Sequence, residues 1–221
     1  MKRTKKFWVW LSENLFLVGF IITLTPVAIL VILYIVSPGP SEELLKERGN
    51  YIATLPNLEE VGENLVGPII YTIEAKSLGD FKYFDFSRGS VVDIDLEAVD
   101  KSIEWDIGFH RVDIRLNGGE KRKGNGGVIN MGEVEFDSVV SAPESGYKNM
   151  VIITKWFDYD TFSHNITPKK NVYVVRTADN KYAKIMMLSY YCNGRESGCI
   201  TFKYIYQGDG SRYFRKRDLS Q

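Results

Sequence analysis

The distribution of apolar positions changes character once along the chain. From Leu15 to Val36 no charged residue occurs, and every position except Gly19, Thr23, Thr25 and Pro26 is apolar. As a helix this run would extend roughly 33 Å, enough for a bilayer core of about 30 Å. Trp8, Trp10 and Tyr34 flank it, where amphipathic rings prefer the headgroup zone. Pro26 near its middle predicts a kink of the kind tolerated in lipid. Beyond residue 68 the pattern shortens to β runs at 69–74, 81–86, 91–95, 104–116, 127–138, 149–157, 171–177, 181–191 and 199–206. Turn-rich segments such as SRGS, TPKKN and TADN separate them. No helix-period pattern occurs in this region, so an all-β antiparallel meander, as sandwich or partial barrel, is predicted.

Within 104–116 the apolar parity switches. Trp105, Ile107 and Phe109 share one face, whereas Val112, Ile114 and Leu116 share the other. A bulge or bend near His110-Arg111 would return both sets to one core. Between the two hydrophobic regimes, residues 41–54 open with Ser41, Glu42 and Glu43, a helix N-terminus signature, and Gly49 and Pro56 keep that helix short. The predicted organisation is a basic flank at 1–14, a transmembrane helix at 15–36, a stalk at 37–66 and a β domain at 67–221.

Charge orients the span. Lys2, Arg3, Lys5 and Lys6 precede it and Glu42 and Glu43 follow it, which leaves the N-terminus cytoplasmic and the β domain outside. The apolar run exceeds a signal-peptide core, and prolines stand where cleavage would occur, so an uncleaved anchor in the lipid bilayer is expected. Overall charge balances at 28 Lys+Arg against 28 Asp+Glu, which excludes a generally basic nucleic-acid binder. Cys192 and Cys199 flank NGRESG between two β runs, and an exterior location favours a disulfide across that hairpin. Two thiols alone do not make a structural zinc site.

Candidate chemistry is sparse. Gly118-Gly-Glu-Lys-Arg-Lys-Gly-Asn-Gly-Gly127 has the glycine content of a phosphate loop, but a strand-like run follows it instead of a helix. A flexible basic hairpin loop is the expectation. No nucleophile elbow occurs, and neither histidine has a nucleophile and acid arranged around it in sequence, so no enzyme is indicated. His164 lies among aromatics in WFDYDTFSHNITP, and histidine is a common axial ligand of haem iron.

YFDFSRGSVVDI, EWDIGFHRVDIRLNGG, KGNGGVI and NVYVVRTADNKYAKIMMLSYY…GCITFKYIY resemble the HmuY haemophore family in order and spacing, over roughly residues 70–206. That resemblance implies an all-β, extracytoplasmic haem-binding module of bacterial haem acquisition. It also implies His164 as an axial metal ligand, since family haem binders clasp iron between two axial side chains. The hairpin that carries the family's other ligand is missing after APESGY, and Met150 is the nearest soft side chain by sequence. His110 matches a family histidine that is not a ligand.

Two functions are therefore expected in turn. The first is a membrane-anchored haem or porphyrin-binding module without turnover, with Trp156, Phe157 and Tyr159 packing on the macrocycle. The second is a scaffold or accessory subunit of a larger membrane protein complex, for which Gly19, Thr23, Thr25 and Ala28 would give the helix a close-packing stripe.

Overall fold

Strict alternation along three long strands determines how the molecule is layered. The computed structural model describes residues 14, 20, 24–32, 65–149, 153, 155–192 and 196–215. In β9 (Asn171–Arg176), β10 (Tyr182–Tyr191) and β11 (Ser197–Gln207), one parity carries Tyr173, Val175, Ile185, Met187, Phe202, Tyr204 and Tyr206 into the main core. The other parity carries Val172, Val174, Met186 and Ile205 into a second core on the opposite face. Both faces of these strands are buried, so they read in sequence as nearly continuous apolar runs.

These strands belong to a five-stranded antiparallel sheet of order β1-β11-β10-β9-β6, with β1 at Leu65–Glu74 and β6 at Gly127–Glu133. Facing it is a four-stranded sheet of order β3-β2-β4-β5, from β2 (Lys82–Asp85), β3 (Ser90–Val92), β4 (Ile107–His110) and β5 (Asp113–Leu116). Phe84, Ile107, Phe109, Ile114 and Leu116 from the small sheet join the main core. The predicted sandwich is thus formed. It is not a simple meander, because the first strand pairs with the last.

Three boundaries differ from the sequence reading. The run 104–116 is not one bulged strand but the β4–β5 hairpin, reversed at Arg111, whose φ of 50° is in the left-handed region. Pairing Ile107 with Leu116 and Phe109 with Ile114 puts both parities on one face, which explains the switch. Among the described residues of 149–157 strand structure is found at Phe157, and a further strand takes in the first two residues of the turn-like segment TPKKN. β7 (Phe157–Asp160) and β8 (Asn165–Pro168) form a separate two-stranded sheet. The run 127–138 stops at Glu133, and a 3-10 turn comes after it at Phe136–Ser138.

The second core is closed by chain segments rather than by another sheet. Ala142 N–H donates to Arg212 O (2.7 Å) and Phe214 N–H to Val140 O (2.9 Å), so residues 134–147 and 211–215 lie together over the outer face. Lys184, at 2% exposure, reaches out of β10 into this cover. Its ammonium donates to Phe136 O (2.6 Å) and Val139 O (2.9 Å) and lies 4.3 Å from the Phe136 ring centroid. Burial pushes its pKa down to about 8.

The chain divides into two compact units, Met1–Gly39 with Thr161–Asn165 and Pro40–Asp160 with Ile166–Gln221. Of the anticipated span 15–36, Phe20 and residues 24–32 are described, are helical and are exposed; the remainder lies outside the described residues, as does most of 37–66. Among the described residues no helix is long and apolar enough to cross a membrane.

Candidate functional site

The aromatic and histidine residues singled out in WFDYDTFSH occupy three different environments. Trp156 is fully buried; its ring lies 5.1 Å from Phe157 and 6.1 Å from Tyr190, both edge-on, and its indole N–H donates to Val112 O at 2.7 Å. Phe157 opens β7 half-buried and packs on the main core together with Ile166 of β8. Tyr159, on the same parity as Phe157 but farther along β7, is 52% exposed. His164 is exposed in the turn between β7 and β8, with a φ of 56°. Histidine is among the few residues enriched in that left-handed region, which suits it to a tight turn.

The root of this hairpin is tied from several directions. Lys169 N–H donates to Trp156 O (2.8 Å), closing the chain just outside the strand pair. Lys169 Nζ also lies 3.1 Å from Asp158 Oδ1. Ile166 N–H donates to the Tyr191 phenol oxygen at 2.7 Å. Tyr191 is buried, and burial raises its pKa, while the amide bond to its oxygen opposes the rise. Next to it, Cys192 and Cys199 form the expected disulfide, with Sγ–Sγ 2.00 Å and Cα–Cα 4.9 Å.

The motifs that carry the family resemblance gather elsewhere. Asp106 of EWDIGFH is buried, and its carboxylate accepts the Phe86 N–H (2.9 Å) from the small sheet and the Ala178 N–H (2.8 Å) from the β9–β10 turn. Burial, and then the charge of Asp85, raise its pKa to about 8. Asn117 of RLNGG is fully enclosed and donates through Nδ2 to Ser102 O (2.9 Å) and Trp105 O (2.8 Å). A Cβ at Gly118 would overlap the Gly126 carbonyl. The glycine-rich stretch is therefore not the flexible hairpin loop expected. It crosses from the small sheet to the large one and is pinned by Asn125 N–H to Ala178 O (2.9 Å) and Gly126 N–H to Asn117 O (2.7 Å).

His110 is more enclosed than His164. Its ring lies 5.1 Å from Phe81, its Nδ1 is 3.7 Å from Asp113 Oδ2, and its buried Nε2 has no hydrogen-bond partner. Among the described residues no group of three or more His, Cys, Asp and Glu could hold a metal ion, and Met150 lies outside them. A groove of about 780 Å³ lined by Leu96, Lys101 and Ile103, and another of about 550 Å³ lined by Tyr71, Lys76 and Val91, include none of Phe157, Tyr159 and His164. His164 is exposed, and an imidazole nitrogen is a donor that haem iron accepts.

Sequence reasoning misses Tyr191, Asp106 and the β7–β8 hairpin. The hairpin has a readable signal, since WFDYD and NITP flank the polar tetrapeptide TFSH. Tyr191 and Asp106 have none, because each acts through a backbone N–H that no side-chain pattern marks.

Comparison with known proteins bears on all of these residues. The family model described as HmuY protein matches residues 77–151 and 147–204. The apo HmuY analogue TFO of Tannerella forsythia has a similar structure, with TM-score 0.54 and 20% identity, covering 66% of this chain and 97% of that one. A proposed HmuY-like haem-binding protein from Bacteroides vulgatus superposes with TM-score 0.52 at 19% identity, covering 71% of this chain and 98% of that one. No curated protein matches the chain.

Proposed function

The chain belongs to the HmuY family, and from that premise we propose that it is an extracytoplasmic, membrane-tethered module that binds haem or a related porphyrin without catalytic turnover. The observation that carries the reading is the extent of the family match: it runs through both sheets and includes the β7–β8 hairpin, whose turn holds the exposed His164. The relative from Bacteroides vulgatus is described as haem-binding, which supports the same ligand class. The Cys192–Cys199 bridge supports an oxidising compartment, and the charge-free run 15–36 supports tethering by a helix.

In this reading the His164 imidazole nitrogen is the axial donor. The Tyr159 and Phe157 rings supply apolar surface for a macrocycle, with Trp156 behind Phe157 fixing where β7 begins. Bound haem would contribute a redox-active iron and a large apolar face; the protein's part is to hold both away from water. Titrating the detergent-solubilised full chain with haemin should give a Soret shift that His164→Ala abolishes, whereas binding of iron-free protoporphyrin should survive that substitution. Identical haemin spectra for the two proteins would sink the ligand assignment.

A second reading is an accessory subunit of a membrane protein complex. It is favoured by the position of the only other imidazole in the chain, His110, which is enclosed against Phe81 and so does not supply a second axial ligand. Extraction in mild detergent and mass measurement separate the two: a species of monomer mass with bound pigment supports the first and excludes the second.

A further inference from the structure

The end of β10 is poorly fixed by its own ladder. Two register shifts interrupt the pairing of β10 with β11, between Met187 and Ser189 and again between Ser189 and Tyr191. Each shift leaves the local ladder broken and the strand free to bend. Yet the side chain at this end, Tyr191, is 5% exposed and accepts the Ile166 N–H at 2.7 Å. The next residue, Cys192, is bridged to Cys199 on β11 and held by its own N–H to Glu196 O at 2.7 Å. The covalent bridge lies beside the Tyr191–Ser197 pairing that resumes beyond the second shift.

Ile166 in turn stands two residues after His164 in the chain. Two ties at the open end of the hairpin, Lys169 N–H to Trp156 O and the Lys169–Asp158 pair, join it to itself. The Tyr191 bond instead joins β8 to the large sheet. We infer that Tyr191 is a positioning residue for His164: its phenol oxygen anchors β8 to the end of β10, and the Cys192–Cys199 bridge keeps that oxygen in place. The consequence for the ligand rests on the haem-binding reading, whereas the anchoring of β8 does not.

The phenol oxygen can be removed without the ring by Tyr191→Phe, and the bridge by Cys192→Ala with Cys199→Ala. Two readouts are needed on the full chain in detergent. The first uses no ligand: amide hydrogen exchange at Ile166 should accelerate roughly five- to tenfold in Tyr191→Phe, the scale of one hydrogen bond, while the amide of Val174 on β9 keeps its wild-type rate. The double cysteine variant should accelerate the same amide. The second is a haemin titration, in which Tyr191→Phe should bind roughly threefold to tenfold more weakly with an altered Soret maximum, while iron-free protoporphyrin binds as before. A merely structural role would weaken both ligands together.

Unchanged exchange at Ile166 in Tyr191→Phe overturns the inference. Acceleration in that variant but not in the cysteine variant overturns the part assigned to the bridge. If the wild type gives no Soret shift, the proposed function falls, and the exchange data still decide whether Tyr191 anchors β8.

Discussion

The Asp106–Asn117 region and the β7–β8 hairpin are held in opposite ways. Around Asp106 and Asn117, buried polar side chains bond to backbone beside the small sheet and at the β9–β10 turn, and glycines allow the chain to pack against itself without side chains between. At the root of the hairpin, by contrast, Trp156 and Phe157 pack edge-on, and a phenol oxygen from the neighbouring sheet ties β8. In a region of the first kind a substitution leaves a buried polar group unpaired or forces backbone atoms to overlap. One of the second kind can change its residues and its length while the sandwich survives. The motifs that carry the family resemblance lie in the first region, and the proposed haem ligand lies in the second.

Substitutions can test how separate the two regions are. The largest effect should come from Trp156→Ala, which empties a fully buried site and removes the bond to Val112 O; a loss of about 4 kcal/mol is expected in urea unfolding, together with lost order in β7. If the hairpin's amides exchange normally in that variant, the root is not where we place it. Next in size, Asn117→Ala should cost about 3 kcal/mol, since it removes the amide that bonds the buried Trp105 carbonyl and the part-buried Ser102 carbonyl. Haemin affinity of the folded protein should nonetheless stay at the wild-type value, and a parallel fall would show that the two regions are coupled.

A smaller effect concerns pH. The Asp106 carboxyl holds its proton up to about pH 8 in the folded state, against an ordinary value of 3.8. Across that window the folded state binds the extra proton, so stability should fall as pH rises from about 4 to about 8. Asp106→Asn should flatten this part of the profile, at a cost of about 1–2 kcal/mol for the N–H left facing an amide nitrogen. Chemical denaturation at a series of pH values measures both. The smallest effect on folding is expected for Tyr159→Ala, within about 0.5 kcal/mol for a half-exposed strand residue, while affinity for iron-free protoporphyrin should drop. Equal affinity would remove Tyr159 from the site.

Legibility in the sequence divides along the same line. Long strands with both faces buried, such as β10 and β11, announce themselves as apolar runs, and the cysteines announce the hairpin between them. The parity switch in 104–116 is visible, but its cause is ambiguous: a reversal through Arg111 gives the same parity change as a bend, and no glycine marks the turn. β8 escapes notice because Asn165–Pro168 is short and only partly buried, so it carries no alternation to read. The burial of Lys184 has no sequence signal, because the chain cover of residues 134–147 that encloses it leaves no periodic trace.

One pairing has a consequence in time rather than in space. β1 and β11 lie side by side, joined by hydroxyls of Thr72 and Thr201 that are 129 positions apart. During synthesis the first strand to emerge stays an open edge until the last has been made, so the large sheet cannot close from one end as a row of successive hairpins could. That edge is exposed throughout synthesis of the rest of the domain, where it is open to pairing with other extended chains. Folding of this protein should accordingly depend on whatever shields β1 until residue 207 arrives.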